Sequence, residues 1–397
     1  MVLSSLFWLS FNFGIHIVLV NIVLGLSIIV PLLKYIGSKK KDKDMLDLSR
    51  KLMRWIAITY AIGGVFGTAF TVFLFSYYPL FIFSAGDLTV NIFGIAIFFI
   101  ILNFFSITAY WYGWDHWSER THNIIGILLA GSAIMIPFGF RGIFAFLNEP
   151  TGLEFANGHP YINEVLAYSN PTFWPLFFKT IDGALITAML AAIAGFGVAY
   201  LRNKENRIYF QKSLQYFLFP SFIGLLIMIP LGFWYLESLA NIPYKFNSIM
   251  EGLGWTIGNA DPVLNMSWLF VLSLIFTTIQ ILSILFILYK GTKGELVTKG
   301  TATSSLLAGI FAAGTVEAME QLNAFSQFPR FIAALGSQQI SRLPAPWNKV
   351  LLTGLNLESY NHLAAALYAQ IFTSIMMGIM IVVLIVFIYI IFFKHKK

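Results

Sequence analysis

Cysteine is absent from the 397 residues. The chain therefore has no disulfide framework, no thiolate metal site and no cysteine nucleophile. Charge is nearly as scarce. Asp, Glu, Lys and Arg make up 11% of the chain and hydrophobic residues 58%. An ordinary soluble domain is about 25% charged. That balance excludes a soluble enzyme of ordinary type, and an aromatic content of 17% excludes a disordered chain. No nucleotide-binding loop, zinc signature, hydrolase triad, fixed-period repeat or low-complexity linker is present. The net charge of +7 comes from basic residues gathered at the ends of apolar runs, so no nucleic-acid partner is expected.

Long apolar runs dominate what remains. A bilayer core of ~30 Å needs about 20 apolar residues of helix. Runs of that kind lie at roughly 7–36, 53–80, 90–113, 123–147, 174–201, 213–238, 266–289, 304–333 and 363–393. The first is too long, and too poor in basic residues at its start, for a cleaved signal peptide. The eighth is interrupted by Glu317 and Glu320. Eight basic residues fall between Lys34 and Arg54 after the first span, and further clusters follow the fifth, seventh and ninth spans. The positive-inside rule then puts the N-terminus outside and the C-terminus in the cytoplasm. The expectation is an all-α, polytopic bundle of about nine transmembrane helices, with residues 1–397 as one transmembrane domain of a prokaryotic cell membrane. Outer segments 148–173, 241–265 and 334–362 are long enough to pack over helix ends. Trp8, Trp111, Trp114, Trp117, Trp174 and Trp347 mark span ends, as an interfacial belt does. Met266 and the other methionines read as core filler.

Charge at mid-membrane is costly, so each ionisable residue within a span is a candidate site. His16 is the histidine inside a span; it either ligates a metal or haem iron or bonds a neighbouring helix. Lys179 and Asp182, spaced i,i+3, share one helix face and are expected to pair, the alternative being a lysine that snorkels outward. Arg141 requires a partner carboxylate, a cofactor propionate or water. Glu317 and Glu320, also i,i+3, suit a proton relay, a cavity wall or a subunit contact. Asn103 is expected to hydrogen-bond between helices, and Glu237 to reach the interface.

Several short motifs occur in a telling order. They are Gly14-Ile15-His16 with Leu24-Gly25, Lys51-Leu52 after the basic loop, and Gly63-Gly64-Val65-Phe66-Gly67-Thr68. Then come Trp111-Tyr112-Gly113-Trp114-Asp115, Asn148-Glu149-Pro150, and Asn170-Pro171 leading into Phe177-Phe178-Lys179-Thr180. In this order and spacing the chain resembles subunit I of the cytochrome bd quinol oxidases, most closely over residues 7–205. The resemblance implies that His16 retains the first-span histidine ligand. Lys179 falls where the family places a histidine ligand of its low-spin haem. Asn103 replaces the third-span carboxylate nearest the Gly-Trp-Asp ending, and Ile95 or Ala96 the earlier one. Leu343-Pro344-Ala345-Pro346-Trp347 is a remnant of a family motif without its arginine, and the haem-ligating glutamate falls near Ser341. No methionine ligand is secure in the seventh span, and the family's large quinol loop is reduced to 241–265.

These differences imply a haem-poor, subunit I-like member of a quinol:oxygen oxidoreductase, with one haem at His16 rather than a set of three. Its expected partners are a haem-bearing subunit I-like chain, small accessory membrane subunits, lipid and quinone. It would then be a subunit of a terminal oxidase without being its main catalytic chain. Two readings compete with it: a catalytic subunit I that oxidises quinol and reduces oxygen, and a transporter or channel without redox chemistry.

Overall fold

The structure is a computed structural model that describes residues 2–77, 79–157, 159–259, 265–326 and 367–392. A bilayer offers no hydrogen bonds to the backbone, so runs this apolar must satisfy their own peptide groups as helices. Among the described residues, eight helices are long and apolar enough to cross a membrane. They lie in α1 (Val2–Lys40), α2 (Lys43–Tyr77), α3 (Pro79–Tyr112), α4 (Glu119–Asn148), α6 (Phe173–Arg202), α7 (Arg207–Ser238), α9 (Ser267–Thr292) and α10 (Lys299–Ser326). Two short helices, α5 (Glu164–Ala167) and α8 (Pro243–Met250), lie between them, and a further apolar helix, α11 (Leu367–Phe392), ends the described chain.

Each predicted span finds its helix. Helices α1 and α2 run longer than their apolar runs because polar residues at the basic end continue them. The basic loop after the first span shrinks to Lys41 and Asp42, with Lys41 at φ 55°. Asp42 caps the next helix by accepting from the Met45 N–H at 3.0 Å, and it also accepts from the Tyr216 hydroxyl at 3.0 Å. That N–H, helped by Tyr216 and Lys212, holds the Asp42 carboxyl below the usual carboxylate range. The predicted eighth span, 304–333, is α10, whose described part ends at Ser326. The predicted outer segment 334–362, with Pro344, Pro346 and Trp347, lies outside the described residues.

Helices α1 and α6 form the centre. Helix α1 packs on α2, α4, α6 and α10, while α6 packs on α1, α7 and α10. Two large apolar clusters fill the bundle. One joins α4, α6, α7 and α8 around Phe146, Phe173 and Leu239, and the other fills the basic end around Leu48, Leu52, Tyr110 and Phe210. Lipid is as apolar as leucine, so close backbone approach must supply the contact energy between helices. The α1–α6 seam shows this. A Cβ on Gly25 would lie 2.3 Å from the Ala184 carbonyl oxygen and 2.5 Å from the Ala188 Cβ.

The described parts of segments 148–173 and 241–265 fold over the helix ends. Leu153–Ala156 (β1) and His159–Ile162 (β2) form a two-stranded antiparallel hairpin, which among the described residues is the one departure from an all-helical reading. Asn170 ties this cap down. Its amide Nδ2 reaches the carbonyls of Ala145 (3.1 Å) and Glu149 (2.7 Å) and the Thr151 hydroxyl, and its Oδ1 accepts from the Thr172 N–H and hydroxyl. These bonds add to the backbone N–H groups of Glu149 and Thr151, which reach the same two carbonyls. Asn148 anchors α8: Lys245 Nζ donates to its Oδ1 at 2.7 Å and the Tyr244 hydroxyl donates to its carbonyl. Lys245 is fully buried.

Gly25→Ala is expected to force α1 away from α6 and to cost about 1–3 kcal/mol. Gly131→Ala, which meets nothing within 4 Å, should leave stability unchanged. Thermal unfolding of the detergent-solubilised chain, followed by tryptophan fluorescence, checks both.

Candidate functional site

Polar side chains from α1, α4, α6, α7 and α10 meet inside the bundle. Arg141, seven residues before the end of α4 at Asn148, extends toward α10. Its Nη2 lies 3.2 Å from Glu320 Oε1, and both side chains are at least nine-tenths buried. Its Nε donates to the Thr180 hydroxyl of α6 at 2.6 Å, and the guanidinium packs 5.2 Å from the Phe144 ring. Of the partners open to Arg141 in the sequence, the structure supplies a carboxylate. Thr180 in turn donates to the Leu176 carbonyl, so one hydroxyl serves both helices.

The predicted Lys179–Asp182 ion pair does not form. The Lys179 ammonium lies over the Tyr235 ring of α7, 4.5 Å from its centroid, within electrostatic reach of Arg141 and Glu320. Asp182 turns the other way. Its Oδ1 would be 3.3 Å from a Cβ at Gly224, and its Oδ2 has no hydrogen-bond partner. The i,i+3 spacing permits the pair, but the long Lys179 side chain reaches a buried ring of the neighbouring helix, and the short Asp182 carboxylate cannot follow it.

His16 faces α2. Its Nδ1 lies 2.8 Å from the Gly63 carbonyl oxygen. A carbonyl only accepts, so Nδ1 carries the proton and Nε2 keeps its lone pair. Gly67, one turn on, lets the ring lie against the helix, since a Cβ there would be 2.6 Å from His16 Cε1. Glu317 presses against the other side of α1, where a Cβ on Gly14 would overlap its carboxylate. Gln321 donates to Glu317 Oε1 at 3.0 Å, whereas Oε2 is buried without a partner. Glu320 is the common neighbour, within electrostatic reach of His16, Lys179, Tyr235 and Glu317.

Asn103 stands apart and bonds between helices as expected. Its Nδ2 donates to the Ser132 hydroxyl (3.0 Å) and the Leu129 carbonyl (3.3 Å) of α4. Glu237 is exposed next to the end of α7. Sequence reasoning missed Thr180, Tyr235 and Gln321. Thr180 has a local signal, since it follows Lys179, but the others are recognisable only once α7 and α10 are placed. It also missed His122, fully buried in the first turns of α4, where its Nε2 donates to the Tyr110 carbonyl. Outside the spans, burial pushes the Glu149 carboxyl up, next to the cap at Asn170.

The resemblance implies haem, and the residues test that. His16 fits: its ring is fixed by a backbone carbonyl on Nδ1, the arrangement that orients a ligating imidazole, and Nε2 is free to donate. Lys179 does not fit, because an ammonium has no lone pair and this one is engaged with Tyr235. Among the described residues no group of three or more His, Asp or Glu side chains gathers to hold a bare metal ion. The position near Ser341 lies outside the described residues; the carboxylates brought to α1 are those of α10.

A sequence model of the family described as cytochrome bd terminal oxidase subunit I matches residues 6–396. No curated protein matches the chain. Among solved structures, that of bd oxidase from Geobacillus thermodenitrificans is similar over 100% of this chain and 99% of that chain, with a TM-score of 0.78 and 18% identity. Likeness at that identity is one of fold.

Removing one partner of a buried ion pair costs about 3–5 kcal/mol, because the other charge is left alone. Arg141→Ala is expected to destabilise the chain by that amount, and Arg141→Met combined with Glu320→Leu to be close to neutral. Thermal unfolding in detergent checks the difference. Equal losses in the two variants would contradict it.

Proposed function

The chain belongs to the cytochrome bd terminal oxidase subunit I family, and from that premise we propose that it is a haem-poor member which supports a haem-bearing subunit I-like chain. It is a multi-pass protein of the prokaryotic cell membrane. The complex would oxidise quinol and reduce oxygen, with the partner holding the main catalytic haems. Small accessory membrane subunits would complete it, and residues 1–397 would form one transmembrane unit with its basic loops in the cytoplasm.

The observation that carries this reading is the fate of Lys179. It occupies the position of a low-spin haem ligand by resemblance, and its ammonium is laid on Tyr235. The next residue, Thr180, is tied to Arg141, which is tied to Glu320. Helices α4, α6, α7 and α10 are thus joined by side chains alone, where a cofactor would otherwise join them. The segment between α7 and α9 supports the same reading. Its described part is taken up by α8 and by Asn247, whose amide exchanges two hydrogen bonds with Ile257, which leaves no large loop to receive quinol.

His16 would hold the one remaining haem. A haem bound there would supply one-electron and oxygen chemistry. The chain's own part is to fix the ring through Gly63 and to keep Nε2 free of any internal partner.

The test is a haem count on the purified complex. His16→Ala is expected to remove one haem per complex, and Lys179→Ala none, by pyridine haemochrome assay against protein. A colourless wild-type chain that co-purifies with a haem-bearing chain would support the supporting role without His16. Loss of haem in Lys179→Ala would overturn the haem-poor reading, and two or more haems on the isolated chain would make it the catalytic subunit.

A further inference from the structure

Buried polar groups that the site above does not use gather near the basic end, where α1, α3 and α4 pack together. Tyr110 of α3 and Ser27 of α1 are fully buried, and His122 of α4 is 1% exposed. The Tyr110 hydroxyl, the His122 Nδ1 and the Ser27 Oγ each lack a hydrogen-bond partner within the protein. Pro31 adds a fourth group. It lies inside α1 and has no N–H, so the carbonyl of Ser27, one turn earlier, loses its regular helical donor.

These groups share one junction. His122 Nε2 donates to the Tyr110 carbonyl at 3.0 Å, and the two rings lie 3.9 Å apart, tilted by 47°. With Nε2 protonated, Nδ1 of the neutral ring holds a lone pair. Gly126, one turn after His122, puts no side chain between α1 and α3; a Cβ there would lie 3.0 Å from both Pro31 Cβ and Tyr110 Cε2. Trp114 closes the basic side. Its ring stands edge-on to Tyr110 and His122, and the Lys34 ammonium is 5.5 Å from its centroid. Lys34 is within electrostatic reach of His122.

We propose that the α1–α3–α4 junction binds ordered water, in a small cluster that accepts from the Tyr110 hydroxyl, donates to His122 Nδ1 and reaches on to Ser27. A hydroxyl donor and an imidazole acceptor stand ring to ring without bonding each other, so the group between them has to accept from one and donate to the other. Water does both, and an internal water makes about three hydrogen bonds to buried groups that are otherwise left over. An anion would meet the His122 lone pair and the Ser27 carbonyl. A metal cation would find a single imidazole and the charge of Lys34. An apolar occupant would leave every one of these donors and acceptors unmade, which is the costly outcome for a buried polar group.

The test is solid-state NMR of the full chain, with any partners, in lipid and with isotopically labelled histidine; the signals that vanish in His122→Asn identify the ring. Nε2 is expected to be protonated, and Nδ1 to be unprotonated, hydrogen-bonded and in magnetisation transfer with water. Tyr110→Phe keeps the ring and removes the donor. It should abolish the water contact and leave Nδ1 with the shift of a bare nitrogen, while Nε2 stays bonded to the carbonyl. A bare or protonated Nδ1 in the wild-type chain overturns the proposal, as does a direct correlation with the Tyr110 hydroxyl in place of water, or a water contact unchanged in Tyr110→Phe. A cryo-EM map of the wild-type protein that resolves ordered water elsewhere in the bundle gives a second measurement that needs no variant. Density within hydrogen-bond distance of both the Tyr110 hydroxyl and His122 Nδ1 supports the assignment, and side chains closed on each other with no density between them overturn it.

Discussion

The contact on which this interior depends is the pair between Arg141 and Glu320. It joins α4 to α10 across 179 positions of sequence, and through Thr180 it includes α6. Inside a bilayer neither charge can turn to water, so each fixes the other. The arrangement of four helices around that point, and the positions of Lys179 and Tyr235 beside it, follow from the need to keep those two groups together. Apolar packing adds strength around it without adding direction, because every face of these helices is apolar.

The same economy of polar groups explains the rest of the bundle. Helix pairs are joined by a few internal hydrogen bonds: Asn103 to Ser132, Asn12 to the Phe66 carbonyl, and Gln280 to Thr315 and the Phe311 carbonyl. Small residues allow the backbones to approach where no such bond exists, as at Gly25. Buried carboxylate oxygens on Asp182 and Glu317 are left without partners, so polar satisfaction is incomplete on α6 and α10, next to the residues that carry the proposed function.

Much of the fold was legible in the sequence because bilayer thickness imposes a length scale on apolar runs. Span existence followed from that, whereas span ends did not, since α1 and α2 continue as helix well past their apolar parts. The hairpin at 153–162 was hidden because four-residue strands give too short a pattern to read. For the site, His16, Arg141, Lys179 and Glu320 stood out as charges or imidazole in apolar surroundings. Their pairing did not follow from spacing. Lys179 and Asp182 satisfied the local geometry of an ion pair, yet the partner that mattered was Tyr235, contributed by another helix. Local sequence can say which groups need a partner, but a partner from a distant helix is decided by packing.

The location of the glycines facing His16 has a consequence for the order of assembly. Gly63 and Gly67 lie on the very next helix, so the imidazole acquires its orientation as soon as the first hairpin closes. Arg141 is in a different position. Its counter-charge is made much later, on α10, and until then a guanidinium is held in a growing bundle without its carboxylate. A chain that is synthesised from the N-terminus therefore sets its histidine early and leaves its central charge unresolved until near the end. The closing of that pair is a natural checkpoint, because only a nearly complete bundle can bring Glu320 to it.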